Sequence, residues 1–428
     1  MFDRRVLFGI ILIAFAAAFY KAANVPAVAA FQYRPAVVAN VAAARFDSRF
    51  ASSRFQTQVH AASLIELKDR SLRGFWFSGS REGAADVTIN SALFDPVTGE
   101  WGAEQSIASR DSTQQGLHRY IGKVGNPVPM RAADGRLWLF YVTVSLGGWA
   151  GSSITAITST DEGVTWSEPR RLISSPFMNI STLVKAAPFL YADGTIGLPV
   201  YHEFISKFAE ILRLDQSGKV IDKQRLAAGG QGTLQPVVLV RSAQQALVLT
   251  RYSGNESPHR AKMMTTVDGG AHWSAAVQSP LSNPDAALAA LVLADGRLLA
   301  VLNDQQSGRD NLALMLSADG GVSWRRVAVL ENETATSVQD EAACLSRVAA
   351  LVKQSDARAG VSAVSLERYV DSAKAKVRAG DACSFEFSYP YLMQASGGDF
   401  HLLYTWNRVF IKHLSFNQAW LEQQETQP

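Results

Sequence analysis

Arginine, histidine, tyrosine and carboxylate side chains recur at the open ends of a series of predicted β-hairpins. The first strands of these hairpins begin near His60, Asn126, Lys185, Gln235, Asp285 and Tyr389. The second strands run out into Arg81-Glu82, Trp149, His202-Glu203, Arg251, Asn303 and Arg408, with Arg309 a little further along the chain. Guanidinium groups bind carboxylates, and histidine, tyrosine and glutamate can transfer protons or act as nucleophiles. If these strand ends meet, the sequence predicts a binding pocket for a polar ring.

The elements that must position these residues are indicated by a repeated turn motif. The segment 159–166 recurs at 266–273 and 317–324, with the pattern Ser/Thr-x-Asp-x-Gly-x-x-Trp. In this pattern the aspartate can cap a tight turn, the glycine provides a positive φ, and the tryptophan can pack beneath the hairpin. Weaker copies contain Asp95 and Asp215, so the aspartates from 161 to 319 are 54, 53 and 51 residues apart.

A second series of polar turns lies between these motifs, and each turn leads into an apolar, strand-like run. The six runs are 74–77, 137–142, 196–200, 246–250, 298–302 and 400–405. A period of about 50 residues with four strands in each unit predicts an all-β protein, a six-bladed β-propeller. In that fold the two kinds of turn share one face, and the hairpin ends that carry the reactive side chains share the other.

The last interval in the second series is longer than the others, with 102 residues between Gly296 and Gly398. The excess lies in about 335–384, where alanine-rich sequence predicts a helical insertion between blades five and six. The two cysteines, Cys344 and Cys383, lie in this segment and could pair in an oxidising compartment or remain free thiols. We therefore divide the chain into an N-terminal segment 1–30, a lead-in 31–54 and a propeller 55–428 that contains the insertion.

The N-terminal segment has the order of a secretory signal peptide. Arg4 and Arg5 precede an apolar run from 6 to 20, and the small residues 27–30 follow. We expect an exported protein, periplasmic or extracellular, whose mature form begins near Phe31. The apolar run is shorter than the roughly 20 residues of a membrane span, but an uncleaved anchor that attaches the protein to a membrane stays open as an alternative.

Composition excludes several other kinds of function. The net charge is +3 with no basic block, so we expect no nucleic-acid partner. The seven histidines lack metal-ligand spacing, so neither a metal site nor another cofactor is expected.

The three complete motifs are Asp boxes, and residues 55–416 resemble the sialidase (neuraminidase) superfamily with BNR repeats. Sialidases hold the sugar carboxylate with three arginines, and they use an aspartate as acid/base and a tyrosine nucleophile assisted by a glutamate. The resemblance implies that Arg251 and Arg309 are the second and third arginines. It also implies that Tyr389, in a Ser-Tyr-Pro sequence, is the nucleophile and that Asp86 is the acid/base. The implied activity is that of an exo-glycosidase acting on an acidic terminal sugar.

Two positions depart from the family pattern. His60 stands where the first arginine is expected, and Gln235 stands where the assisting glutamate is expected. A neutral tyrosine without this glutamate lacks its base, and Glu203 on the neighbouring blade could substitute for it. The residues expected to line or support the pocket are Arg81, Glu82, Gln235, Asn126, Trp149, Asn303, Trp406 and Arg408.

Two other functions could use the same residues. A lyase that cleaves next to a uronic acid would neutralise the carboxylate with the arginines and transfer protons through His60 and Tyr389. A non-catalytic glycan-binding propeller would keep the aromatic side chains of Trp76, Trp149 and Trp406 without needing a proton-transferring pair. In each case the expected partner is an acidic glycan or polysaccharide.

Overall fold

The computed structural model describes residues 3–38, 43–53, 58–175, 179–226, 232–334, 341–356, 363–379 and 384–426. Their strands form six separate sheets, and the innermost strands of neighbouring sheets contact one another around a common axis. The predicted all-β, six-bladed propeller is therefore confirmed, and so is the helical insertion between blades five and six.

One helix and one strand precede the first blade. They are α1 (Arg4–Ala23) and β1 (Phe46–Phe50). In the part of the chain that the structure describes, no helix is long and apolar enough to cross a membrane.

Residues 26–32, which follow α1, pack against blades 3 and 4. Phe31 is buried, stacks on the ring of Tyr191 at a centroid distance of 5.6 Å, and donates its N–H to the carbonyl of Ala243. The buried guanidinium of Arg213 donates to the carbonyl oxygens of Pro26 and Ala27, at 2.6 and 3.0 Å. Residues on both sides of Ala30 are thus part of the folded domain.

Blades 1 to 3 follow in chain order, and each is antiparallel. Blade 1 consists of β2 (Gln58–Glu66), β3 (Leu72–Gly79), β4 (Thr88–Asp95), β5 (Glu100–Trp101) and β6 (Gln105–Ser109). Helix α2 (Arg110–Leu117) leads to blade 2, which consists of β7 (Lys123–Arg131), β8 (Leu137–Val144), β9 (Ser152–Ser159) and β10 (Arg170–Arg171), with a 3-10 turn at Trp149–Gly151. Blade 3 consists of β11 (Leu183–Val184), β12 (Phe189–Leu190), β13 (Ile196–His202), β14 (Phe208–Leu214) and β15 (Val220–Arg225).

Blades 4 to 6 continue the ring. Blade 4 consists of β16 (Thr233–Val240), β17 (Ala246–Tyr252), β18 (Arg260–Thr266) and β19 (Val277–Ser282). Blade 5 consists of β20 (Ala289–Val292), β21 (Leu298–Leu302), β22 (Asn311–Ser317) and β23 (Arg325–Asn332). The insertion contributes α3 (Glu341–Asp356) and α4 (Ala363–Ala379), and blade 6 consists of β24 (Phe387–Gln394), β25 (Phe400–Trp406) and β26 (Phe410–Phe416), followed by α5 (Gln418–Thr426).

Blade 6 takes its fourth strand from the other end of the chain. β1 pairs antiparallel with β26, with Phe46 opposite Phe416 and Phe50 opposite Lys412. The N-terminal strand therefore closes the ring.

The core of each blade is apolar on both faces because each sheet packs between two neighbours. All eight residues of β8 are buried, and the insertion extends the core of blades 5 and 6 through residues such as Val348 and Val352. Cys344 of α3 is buried and disulfide-bonded, whereas Cys383 lies outside the described residues.

The Asp boxes are turns on one face of the ring. Asp161, Asp268 and Asp319 each accept hydrogen bonds from a hydroxyl two residues earlier and from the residue four positions later. These bonds, above all those from the later residue, lower the pKa of each carboxyl to about 2. Arg131, at the far end of β7, donates to Glu162 of a box, so the boxes lie at the end of the propeller opposite the starts of the innermost strands.

Candidate active site

Each blade carries one left-handed backbone residue at the start of its innermost strand. Their φ angles lie between 46° and 56°, and they are Ala61, Asn126, Ser181, Gln235, Asp285 and Tyr389. In β2, β7, β16 and β24 this residue lies where the pairing with the next strand shifts register, and in blades 3 and 5 it precedes the strand. Non-glycine residues rarely adopt this conformation, and β-bulges re-aim side chains. The repeated left-handed residue, which lies at a bulge in four of the blades, identifies this end of the propeller as the candidate site.

Tyr389 is the left-handed residue of blade 6, and its hydroxyl meets two side chains of blade 4. Gln235 Nε2 donates to the hydroxyl at 3.2 Å, and Arg251 Nη1 donates to it at 3.4 Å. Gln235 also donates to the hydroxyl of Tyr201, at 3.4 Å. Two fixed donors stabilise negative charge that develops on the Tyr389 oxygen. Within the described residues, no carboxylate is hydrogen-bonded to this hydroxyl.

Arg251 is held in this position by a carboxylate of blade 5. Its Nε donates to Asp285 Oδ1 at 2.6 Å, and its Nη1 contacts Gln235 Oε1 at 3.4 Å. Burial opposes the charge of the guanidinium, but Tyr389 and Asp285 outweigh burial and raise the pKa of Arg251. Arg251 therefore remains a cation at the bottom of the site.

Glu386 joins two further arginines. Its carboxylate accepts from Arg309 Nη1 at 3.3 Å and from Arg408 Nε at 2.7 Å, and Ser388 donates its hydroxyl to the same group at 2.6 Å. Burial alone would raise the pKa of Glu386, but Arg408 and the other donors lower it to about 2. Glu386 is thus an anion that fixes the orientation of both guanidinium groups.

Arg309 and Arg408 also donate hydrogen bonds to residues of blades 5 and 1. Arg309 Nη2 donates to the backbone oxygen of Asp285 at 2.9 Å, and Arg408 Nη1 donates to Glu82 Oε2 at 2.6 Å. Arg251, Arg309 and Arg408 are therefore connected through Asp285 and Glu386 into one network.

Two basic side chains support Tyr389 from below. The ring of buried His60 lies 4.1 Å from that of Tyr389 between centroids, and its Nδ1 contacts the hydroxyl of Thr405 at 2.9 Å. Burial and the nearby Arg408 lower the pKa of His60 well below its usual range. Lys185 is also buried, with its Nζ 5.9 Å from the centroid of the Tyr389 ring, and burial lowers its pKa to about 7.

Glu203 is half-buried at the end of β13. Its backbone N–H donates to the hydroxyl of Ser181 at 2.7 Å. Burial raises the pKa of its carboxyl, although Arg251 acts in the opposite direction. Glu203 therefore combines proximity to Arg251 with a carboxyl that protonates more readily than usual.

The family of the chain follows from a sequence comparison. Residues 70–402, most of the chain, match the model of the BNR repeat-like domain. The chain belongs to this family. The resemblance to sialidases with BNR repeats is thereby confirmed, while no curated protein matches the chain.

Solved structures with a similar fold include sialidases and an α-L-arabinofuranosidase. The Hadza microbial sialidase Hz136 is 16% identical with a TM-score of 0.59, over 84% of this chain and 65% of that one. The NanB sialidase from Streptococcus pneumoniae is 10% identical with a TM-score of 0.59, over 90% and 71% of the two chains. The α-L-arabinofuranosidase Arb93A from Fusarium graminearum is 10% identical with a TM-score of 0.53, over 87% and 96%. This BNR-family chain thus spans about two thirds of the length of the first sialidase, and the likeness shows the fold.

The structure of this BNR-family protein brings many of the expected site residues together. The network described above contains Tyr389, Gln235, Arg251, Arg309, Arg408 and Glu82, with His60 beneath it and Glu203 beside it. Asn126 is the mostly buried bulge residue of blade 2, and half-buried Trp149 packs against Gly125 beside it. Their positions at the same end of the propeller agree with a role in lining the pocket.

Two expected pocket residues are core residues instead. Trp406 is fully buried and packs against Phe50 and Phe387, because it is the last residue of β25 and points into blade 6. Asn303 is fully buried and donates to the carbonyl oxygen of Phe387 at 2.8 Å. Both side chains support the strand that carries Tyr389, and neither faces the pocket.

Asp86 and Arg81 lie outside the network. Both are exposed on the loop after β3, and the carboxylate of Asp86 accepts the N–H and the hydroxyl of Ser80, each at 2.9 Å. These bonds lower the pKa of Asp86. The same loop carries Glu82, which accepts a hydrogen bond from Arg408, so the loop borders the site. The carboxylate of Asp86 instead binds Ser80 within the loop.

Sequence reasoning missed Glu386 and Tyr201 as site residues. Glu386 precedes β24 by one residue, and the pattern that selected strand starts pointed to Tyr389 three residues later. The available signal was charge, since three arginines around one pocket require a nearby carboxylate to orient them. Tyr201 sits inside an apolar run, where its type gives no signal.

Proposed function

We propose that this protein is an exo-glycosidase of the sialidase type, which removes an acidic sugar from the end of a glycan. The observation that supports this proposal best is the environment of Tyr389. Tyr389 is partly exposed, and its hydroxyl receives hydrogen bonds from Arg251 and Gln235. Its ring packs against His60 and lies near the Nζ of Lys185. A phenol oxygen in this setting is suited to act as a nucleophile.

The proposed reaction has two steps. First, the Tyr389 oxygen forms a bond with the anomeric carbon while the glycosidic C–O bond breaks; a base takes the phenolic proton, and an acid protonates the leaving oxygen. Water then forms a C–O bond with the anomeric carbon and gives a proton to the deprotonated acid. At the same time the bond to Tyr389 breaks, and the protonated base returns the phenolic proton. Glu203 is the proposed base, and Asp86 is the proposed acid once its loop turns it away from Ser80.

The acidic sugar is proposed from the arginine network. Arg251, Arg309 and Arg408 are each paired with a carboxylate that orients them, yet each guanidinium has five N–H donors and uses only part of them in these pairs. Their side chains are 14%, 24% and 28% exposed, respectively, so the remaining donors can reach a ligand. A sugar carboxylate is a group that such donors bind strongly, with two parallel hydrogen bonds from one guanidinium.

The two alternative functions have less support. A lyase would need His60 to reach a proton of the substrate, but His60 is 2% exposed and its ring lies against Tyr389. A non-catalytic binding propeller would need accessible aromatic rings, and Trp76 and Trp406 are both in the core. Trp149 remains at the pocket and serves either function.

The decisive experiment is incubation of the wild type with a panel of glycosides that carry different acidic terminal sugars. The proposal expects release of the free sugar without an ultraviolet-absorbing unsaturated product. Tyr389→Phe should abolish this release, and Tyr391→Phe is the matched control, because Tyr391 lies on the same strand with its ring buried in the core. An unsaturated product would establish a lyase, and unchanged release by Tyr389→Phe would overturn the proposed nucleophile.

The proposal includes export from the cytoplasm. It rests on the sequence of α1, which begins with Arg4 and Arg5 and continues as an apolar run whose side chains are largely exposed. Fractionation of cells that express the full chain tests it, and recovery in the cytoplasm alone would contradict it.

A further inference from the structure

Lys185 is a buried base that the proposed reaction has not used. It follows β11 directly, it is 5% exposed, and its Nζ donates to the carbonyl oxygen of Pro390, the residue after Tyr389. The same nitrogen lies 5.9 Å from the centroid of the Tyr389 ring. Lys185 thus contacts both the backbone that sets the position of Tyr389 and the space around its ring.

The position of Lys185 is costly for folding. Among the residues that the structure describes, no carboxylate pairs with Lys185. Burial of such an ammonium group is unfavourable, and burial lowers the pKa of Lys185 to about 7. The buried lysine of blade 6, Lys412, differs in this respect, since it forms an ion pair with Glu331. A methionine at position 185 would fill the same space without the cost of the charge.

We propose that Lys185 is a positioning residue for Tyr389: it fixes the Pro390 carbonyl and sets a positive charge beside the phenol ring that stabilises the Tyr389 oxygen as it becomes negative. This inference rests on the proposed function, because the charge matters for catalysis only if Tyr389 is the nucleophile. With the developing charge placed at the ring centroid, 5.9 Å from Nζ, and an effective dielectric constant of about 20, removal of one unit charge changes a rate roughly 100-fold.

The surroundings of Lys185 determine how its effect depends on pH. The groups that face it are the ring of Tyr389 and the imidazole of His60, whose own pKa is lowered in part by Lys185. On β13, which pairs with β11, the buried phenol of Tyr201 belongs to the residue opposite Leu183, two positions before Lys185. His60 and Tyr201 both stay uncharged around neutrality, so Lys185 titrates with a pKa near 7 and is charged below it. Its contribution to the rate should therefore be lost as the pH rises through about 7.

The test compares Lys185→Met and Lys185→Arg with the wild type in kcat/KM against pH, using the glycoside that the panel identifies. Lys185→Met should lose roughly 100-fold in kcat/KM at pH 6, and much less at pH 9, where the wild-type lysine is neutral. Lys185→Arg keeps its charge at all these pH values, so the decline above pH 7 should disappear. A Lys185→Met variant with the wild-type rate and pH profile would overturn the proposal.

Thermal unfolding distinguishes this role from a structural one. Lys185→Met should have a Tm at or above that of the wild type at pH 6, with the difference shrinking toward pH 9, because a buried charge is removed. Lys412→Met is the matched control, and it should lower the Tm and leave the pH profile of activity unchanged, since it leaves Glu331 buried without its cation. A lower Tm for Lys185→Met would assign Lys185 to the fold. Loss of activity in Tyr389→Phe with none in Lys185→Met would overturn this inference alone, and full activity in Tyr389→Phe would overturn the proposed function.

Discussion

The imidazole ring of His60 packs against the phenol ring of Tyr389, with the centroids 4.1 Å apart and the ring planes inclined by 51°. The His60 Nδ1 contacts the Thr405 hydroxyl, and its Nε2 is buried without a hydrogen-bond partner among the described residues. Tyr389 is partly exposed and His60 is not. A ligand that enters the site therefore contacts the phenol of Tyr389, and the imidazole of His60 packs against the phenol ring from the interior of the protein.

This arrangement predicts the effect of His60→Phe. The substitution keeps an aromatic ring under Tyr389 and removes both nitrogens, so we expect kcat to fall less than about 10-fold, whereas removal of a general acid or base costs about 10²- to 10⁴-fold. Because the pKa of His60 lies well below its usual range, the substitution should leave the pH–rate profile between pH 5 and 8 unchanged. Steady-state kinetics check both points. A fall in kcat of about 10²-fold or more would support the alternative function of a lyase that transfers protons through His60.

Glu386→Gln tests the anion that joins two arginines. The variant should weaken the orientation of Arg309 and Arg408 and lower the free energy of unfolding by about 2 kcal/mol, less than the 3–5 kcal/mol of a fully buried pair because the partners are partly exposed. The pKa of Glu386 is lowered to about 2, so its stabilising effect is present above the usual glutamate pKa and is lost as the pH falls through about 2.

Chemical denaturation at pH 7 and at decreasing pH measures this effect. The difference between wild type and Glu386→Gln should be full at pH 7 and should shrink below about pH 4.3, the usual glutamate pKa. A difference that does not change with pH would show that the charge of Glu386 is not what stabilises the network. In kinetics, KM for the acidic sugar should rise more than kcat falls.

The Asp boxes predict acid sensitivity on the face away from the site. The carboxyls of Asp161, Asp268 and Asp319 have a pKa of about 2, lower than in an unfolded chain, so they stabilise the fold above about pH 3.9 and lose this effect as the pH falls toward 2. Asp319→Asn should reduce this pH dependence without changing kcat at pH 7. Tryptophan fluorescence during acid unfolding reports the first effect, and reduced activity with unchanged stability would contradict the assignment of faces.

The contacts made by the segment around Phe31 indicate where the N-terminal signal segment of an exported chain can be cleaved. Ala192 donates its N–H to the carbonyl of Ala30, and Arg213 needs the carbonyls of Pro26 and Ala27, so cleavage next to Phe31 would break contacts of the folded domain. We expect the exported protein to retain Pro26 and the residues after it, in place of the start near Phe31 that the small residues indicate. N-terminal sequencing checks this, and a mature start at Phe31 would contradict it.

Phe31→Ala measures how much that segment stabilises the propeller. The ring is buried against Tyr191, so we expect a loss of about 3–5 kcal/mol in the free energy of unfolding. The exposed Tyr33 nearby provides a control, and Tyr33→Ala should change the stability by less than about 0.5 kcal/mol. Equal effects of the two variants would show that the segment is not docked.

The fold could be predicted from the sequence because its signal is repeated. The Asp boxes and the six apolar runs each report on one blade, and an error in a single copy leaves the period intact. The start of β24 at the Ser-Tyr-Pro sequence was found in the same way, since position within the repeat determines which strand end a residue occupies.

Single side chains were harder to assign because the repeat does not say where each one points. Trp406 and Arg408 are two residues apart, yet the first belongs to the core and the second to the arginine network. The chain between them turns at Asn407, whose φ is +50°, and such a turn breaks the alternation that strand patterns rely on. Likewise, the left-handed bulges that aim Gln235 and Tyr389 at each other leave no compositional trace.

The pairing of β1 with β26 has a consequence for how the molecule is made. Phe46 and Phe416 are partners although they are 370 positions apart, so the four-stranded sheet of blade 6 cannot be completed until nearly the whole chain is available. Contacts of this range slow folding, and the unpaired edge of either strand would meanwhile be open to pairing with other chains. For the export proposed above, this delay is favourable. A chain that has not yet closed its propeller remains unfolded enough to pass through a narrow export channel. The same delay should make the full-length chain prone to aggregate when it is refolded at high concentration.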